Sequence, residues 1–288
     1  LRRRQSRARP LFDALLPPTD GGTIDRITYL KLMGKLVWTS HMTRVDVAMA
    51  VSKLCTFANG ATQQHYDYAL GVVGYLVSTK NVGITFGGRL RVPLGLHSHP
   101  PHFFESSGLY CVHDSSWGTH PRPMGGYVVM FCNAAIDWGS NRVKIVPASS
   151  HEAEAAVGAK AAKAAIFARN LLTNNNRTIT GPTPVIGDNE AHYTSVQQDG
   201  ATSRTRYYER CTEMLKRAVL LLVLTPFLVK THDMIADIFT KALEKSAFVK
   251  FRNNLMNVHG SLRDRLEHNY ACTTGSVRRV IGDLMRKL

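Results

Sequence analysis

The stretch from Glu152 to Leu172 is dominated by Ala, with Lys and Glu between, and it follows three short runs rich in Val, Tyr, Phe and Ile. Ala, Lys and Glu are strong helix formers, whereas β-branched and aromatic residues fit a pleated surface. The runs Leu109 to His113, Gly126 to Phe131 and Ala134 to Trp138 are divided by turn residues, which predicts an antiparallel meander followed by one long helix. Downstream, Pro184 to Gly187 reads as a short buried strand, and Ala191 to Gln197 and Thr205 to Arg217 read as helices. Leu220 to Lys230 fits a strand interrupted at Pro226, and Met234 to Leu243 a last helix. The resulting order, βββαβαβα, implies an α/β fold with a mixed five-stranded sheet and flanking helices.

The residues before this region have a different pattern. Leu32, Met33, Leu36 and Val37 recur at helical spacing, and Val45 to Phe57 and Tyr66 to Val77 repeat the period, which predicts a small all-helical segment. The expected organisation is a basic flexible arm at 1–22, a helical segment at 23–87, a linker at 88–107, the α/β unit at 108–245 and a basic tail at 246–288. The linker is rich in Pro and Gly and carries His97, His99 and His102. With no acidic or thiol partner in register, these histidines read as solvated loop residues rather than metal ligands.

The chain has 288 residues, 44% of them hydrophobic, enough for two ordinary cores and too apolar for a disordered chain. Its 36 Lys and Arg against 21 Asp and Glu give a formal net charge of +15, which favours a polyanionic partner, nucleic acid by default. A solvated basic surface is the plainer alternative. The five cysteines are odd in number and widely spaced, with no CxxC pair, which points to an intracellular, reducing compartment. The longest apolar run, Ala218 to Leu224, is too short to span a bilayer, so no membrane partner is expected.

Acidic residues at element ends are the candidates for chemistry. Phosphodiester hydrolysis with two metal ions needs several carboxylates around ions about 4 Å apart, delivered by stiff backbone from distant chain positions. Asp114 ends the first expected strand, Glu154 begins the Ala-rich helix, Asp188 follows Val185-Ile186, and Asp237 lies early in the last expected helix. Glu152 and Glu154 project about 200° apart on a helix, so only one of them can face such a site. Each acid taken singly also has a plainer reading. Asp188 would cap the next helix, and Asp237 would favour a helix N-terminus.

Stretches in both halves resemble the copia-type retrotransposon Pol polyprotein, in that family's order. In the first half they are Tyr29-Leu-Lys-Leu-Met-Gly-Lys-Leu-Val-Trp38, Thr43-Arg-Val-Asp-Val-Ala-Met-Ala-Val51, Ala61-Thr-Gln-Gln-His65 and Gly74-Tyr-Leu-Val-Ser-Thr-Lys80. These are similar to the helical thumb or connection segment after the polymerase palm. In the second half, Val112-His-Asp-Ser-Ser-Trp-Gly118, Ala148-Ser-Ser-His-Glu-Ala-Glu-Ala155, Gly187-Asp-Asn-Glu-Ala191, Ser203-Arg-Thr-Arg206 and Ile235-Ala-Asp-Ile-Phe-Thr-Lys-Ala-Leu243 resemble the motifs of its ribonuclease H.

The resemblance covers roughly Thr28 to Asn257 and implies a ribonuclease H-like fold. It implies Asp114, Glu154, Asp188 and Asp237 as catalytic metal ligands, the second glutamate of the pair being the ligand. The implied cofactor is two Mg²⁺ ions, or Mn²⁺ in their place. Arg204 and Arg206 are the implied phosphate contacts, although basic residues at a surface helix N-terminus explain them nearly as well. His232 would assist product departure, the plainer reading being an exposed loop histidine.

The implied activity is hydrolysis of the RNA strand of an RNA–DNA hybrid, with the upstream palm and fingers of reverse transcriptase as further partner in a longer polyprotein. The attacking water would be polarised by metal. Departures from the family pattern are Val45 where proline is usual, Gly71 and Gly74 where basic residues are common, and Ser116 where an acid is often found. No Asp-Asp pair occurs, so no polymerase active site is expected in this chain. The competing reading is a truncated or decayed product that binds nucleic acid without cutting it.

Overall fold

The computed structural model describes residues 22, 24–87, 90–97, 108–118, 120–197 and 209–258. The arm up to residue 21, most of the linker with His99 and His102, Arg204, Arg206 and the chain beyond 258 lie outside the described residues.

The helical segment consists of α1 (Arg26–Met42), α2 (Ala48–Cys55) and α3 (Gln63–Ser78). Asp25 caps α1 by accepting from the Thr28 N–H at 2.8 Å. Thr62 and His65 cap α3 reciprocally. The expected helix from Val45 starts as a 3-10 turn, Val45–Val47, because a buried ion pair fixes the backbone there. Arg44 donates to both Asp46 oxygens, at 2.9 and 2.8 Å, and to the Thr79 carbonyl, and the Tyr75 hydroxyl donates to Asp46 at 2.5 Å. The charged residues of Thr43-Arg-Val-Asp46 therefore join the start of α2 to the end of α3.

The sheet has the order β3-β2-β1-β4-β5, built from β1 (Tyr110–Ser115), β2 (Met124–Phe131), β3 (Ala134–Arg142), β4 (Thr183–Gly187) and β5 (Leu224–Leu228). The first three form the antiparallel meander, and β4 and β5 add parallel to β1 and to each other. Pro226 is accommodated because β5 is an edge strand. The Ala-rich stretch is α4 (Ser150–Asn174), followed by α5 (Glu190–Gln197) and α6 (Glu209–Leu220).

Successive residues of β1 serve opposite faces, as the period of a strand requires. Leu109, Cys111 and their neighbours pack on α4 and α6, whereas Tyr110 and Val112 join a second cluster with residues of α1, α2 and α3. The helical segment is thereby fused to the sheet through one continuous core, and Trp138 of β3 donates its indole N–H to the Ser40 carbonyl of α1 at 2.9 Å. Leu96, within the expected linker, is fully buried in that same core.

Two expected elements differ. Met234 to Leu243 is no α-helix but opens with a 3-10 segment, Ile235–Phe239, in which every residue is buried. Lacking a solvent face, it cannot present the single apolar stripe of a surface helix, and it packs as a tight coil between the sheet and the helix that follows. The expected tail at 246–288 starts instead as α7 (Lys245–Leu255), which buries Phe248, Phe251 and Leu255 at helical spacing. The intervening Lys250 and Arg252 conceal that stripe in a reading by charge. Among the described residues, no helix is long and apolar enough to cross a membrane.

Candidate metal centre

Asp114, Glu154 and Asp188 meet at the end of the sheet where β1 and β4 run out side by side, and each offers an oxygen within 4.8 Å of the others. Asp114 lies near the end of β1 and is almost fully buried, Glu154 projects from the second turn of α4, and Asp188 directly follows β4. The plainer readings fail locally. Asn189, not Asp188, caps α5, its side chain accepting from the His192 N–H at 2.9 Å. Glu152 closes the N-terminus of α4, accepting from Ala148 at 2.7 Å while its own N–H donates to Ser149, and Glu154 turns inward.

Two glycines let the flanking elements reach the site. Gly126 is the β2 partner of Asp114, and a Cβ there would collide with Phe239 of the 3-10 segment. Gly125 is the partner of Ser115, and a Cβ there would collide with Val157 of α4. The bare backbone of β2 thus admits α4 from one face and the 3-10 segment from the other, which carries Glu154 and Asp237 toward Asp114.

The carboxylates are held by their neighbours. Ser115 donates to Glu154 Oε1 through both its N–H and its hydroxyl, each at 2.8 Å. The Thr240 hydroxyl donates to Asp114 Oδ2. Lys241 Nζ stands 2.7 Å from Asp237 Oδ1 and 3.6 Å from Asp114 Oδ1, so the fourth acid joins the cluster through a shared cation rather than through the three-oxygen meeting point. Glu154 Oε2 is buried without a hydrogen-bond partner, with His113 Nδ1 3.3 Å away.

This crowding has an electrostatic cost. Burial first, then the charge of Glu154, pushes Asp114 up to about 8 against the opposing pull of Lys241. Burial also raises Asp237, again opposed by Lys241. Burial alone would depress Lys241, but Asp114, Asp237 and Asp188 outweigh it and hold the ammonium above its ordinary value. Three converging carboxylates, one with an orphaned buried oxygen, form a donor set of hard oxygens suited to a divalent cation such as Mg²⁺.

Ser115, Thr240, Lys241 and His113 were not among the residues expected from the sequence to form the site. The Lys241 signal was legible, since it lies four residues after Asp237 in the same motif. The His113 environment was not. His113 and His192 rings meet edge to face at 5.7 Å, and a Cβ on Gly158 would lie 2.8 Å from His192 Nε2, so glycine is needed to seat them. His232 is exposed and pairs with Asp233, which also holds Lys250 at 2.9 Å. His97 is likewise exposed, and no cluster of metal-ligating side chains other than the carboxylates occurs among the described residues.

No protein-family model matches the chain. It is 26% identical over 234 residues to the retrovirus-related Pol polyprotein from transposon RE1 of Arabidopsis thaliana, covering 80% of this chain and 15% of that protein. The chain is similar to transposon Pol polyproteins. It spans only a small part of the RE1 polyprotein, and it is also 26% identical over 148 residues to the putative transposon Ty5-1 protein of Saccharomyces cerevisiae, with 51% of this chain and 43% of that one covered. Among solved structures, LC11-RNase H1 in complex with an RNA/DNA hybrid overlaps 46% of this chain and 93% of its own, at 14% identity and a TM-score of 0.33. The sheet of this chain has three antiparallel strands extended by two parallel ones.

Proposed function

We propose that this chain is the ribonuclease H part of a copia-type Pol polyprotein, hydrolysing the RNA strand of RNA–DNA hybrids with Asp114, Glu154, Asp188 and Asp237 as its acidic residues. The observation that carries this reading is the convergence of three of those acids, from β1, α4 and the end of β4, on one point at the sheet edge. Burying three carboxylates this closely costs the fold, a cost that Lys241 offsets in part and that a divalent cation would offset further.

Asp114, Glu154 and Asp188 would hold the metal, and the metal would supply a polarised water and charge stabilisation at the leaving oxygen. The chain's own groups set the geometry. Ser115 fixes one oxygen of Glu154 and leaves the other open, and Thr240 fixes one oxygen of Asp114. Lys241 neutralises Asp237 and Asp114 from the side, which keeps the cluster assembled between turnovers. Arg204 and Arg206, outside the described residues, are the proposed phosphate contacts. Preference for a hybrid would come from backbone shape and 2′-hydroxyls, not base sequence.

The deciding experiment is cleavage of a labelled RNA–DNA hybrid with and without Mg²⁺, by wild type and by Asp188→Asn at matched folding. Metal-dependent cuts in the RNA strand that fall by about two orders of magnitude or more in the variant are expected. A well-folded wild type that binds hybrid and never cuts it would refute the reading.

A further inference from the structure

A groove of about 920 Å³ lies beside the carboxylates, with α1 and α2 on one side, β2 and β3 as its floor and α4 on the other. No Asp or Glu lines it, whereas Arg142, Lys144 and Lys160 do. Lys53 of α2 stands close enough to Arg142 for that charge, after burial, to depress its pKa. Burial likewise depresses Lys160, with Lys144 adding to the effect and Asp137 opposing it. Among the described residues, none of these four is in an ion pair.

Three cations from the end of β3 and from α4 therefore line one mostly apolar cleft, with Lys53 of α2 near Arg142. Gathering like charges over low-dielectric walls is unfavourable unless an anion compensates them, and a row that long matches a polyanion better than a single phosphate. The position is informative too. Gly125, in the floor, is the register partner of Ser115, whose N–H and hydroxyl hold Glu154, so the groove starts one strand away from the carboxylates. The Lys160 ammonium already lies over the Tyr127 ring, 5.2 Å from its centroid, which poises it at the mouth.

We infer that this groove carries the sugar–phosphate backbone of the nucleic acid next to the cut site, an assignment that rests on the reading of the carboxylates as a nuclease centre. The fused helical segment is then half of the substrate path, since α1 and α2 form one wall.

The test is a pair of charge reversals, Lys144→Glu with Lys160→Glu, both at exposed positions, against a control pair on the exposed side of α1, Lys31→Glu with Lys35→Glu, that changes net charge equally. Anisotropy of a labelled RNA–DNA hybrid in metal-free buffer, repeated across salt concentrations, gives affinity and salt slope. The groove pair is expected to weaken binding about tenfold or more and to lower the slope of log K against log salt by about two, with the control pair showing a clearly smaller loss. Equal losses in the two pairs, or none in either, would overturn the groove assignment. Wild-type binding without Mg²⁺-dependent cutting would sink the nuclease reading alone, and the same comparison of pairs would still decide the groove.

Discussion

Asp114 is a buried carboxylate that is uncomfortable when ionised, and that discomfort is measurable. Its carboxyl is raised from 3.8 to about 8, by burial first and Glu154 second. Between those values the unfolded chain has released a proton that the folded, metal-free chain still holds. Stability that is present in full at low pH is therefore lost progressively as pH rises through this window. The metal-free protein should show a falling melting temperature from about pH 5 to about pH 8 through this group. Asp114→Asn should flatten that slope, and added Mg²⁺ should raise the melting temperature more at the alkaline end, where the bound form has fewer protons to displace. An unchanged slope in Asp114→Asn would show that other groups dominate. Lys241 moderates the same cost, so Lys241→Gln is expected to enlarge the melting-temperature rise produced by Mg²⁺.

The elements are joined at the site by what β2 lacks. Gly126→Ala would drive a methyl group into Phe239, which is backed by the core and cannot yield as a surface side chain would. Displacement of the 3-10 segment should cost about 1–3 kcal/mol in urea unfolding and weaken hybrid cleavage by moving Asp237 and Lys241. A variant with wild-type stability and activity would mean that the approach of these two elements is not needed. The strands, α4, α5 and α6 were readable because each carries its own period or composition. The 3-10 segment was not, since Ile235 to Phe239 is apolar throughout and its coil geometry comes from being enclosed. α7 was missed for the opposite reason, its three buried residues being spaced among charges that suggested a tail.

At the scale of the whole molecule, the helical segment and the sheet share one core, which a reading by composition divided at a linker. Unfolding followed by Trp fluorescence and by far-ultraviolet circular dichroism should therefore give coincident transitions, and separate midpoints would restore two independent units. Truncation before Lys245 gives a sharper test. It removes Phe248, Phe251 and Leu255, all buried, each worth about 2 kcal/mol of burial. Their sum approaches the net stability of an ordinary domain, so the shortened chain is expected to be largely unfolded at 37 °C, and a folded, hybrid-cutting product would refute this.

The sequence alone determined the succession of strands and helices, the long helix and the acids at element ends, because these depend on local propensity and on motif residues that stand close together in the chain. It also excluded Glu152 or Glu154 from sharing one face, which is a matter of helical geometry. Only the tertiary structure decided that Asp114, Glu154 and Asp188 meet while Asp237 joins them through Lys241, since that choice depends on where separate elements pack. The same holds for the basic groove. Arg142, Lys144 and Lys160 come from β3 and α4, and only the packing of α1 and α2 beside these elements makes one groove around them.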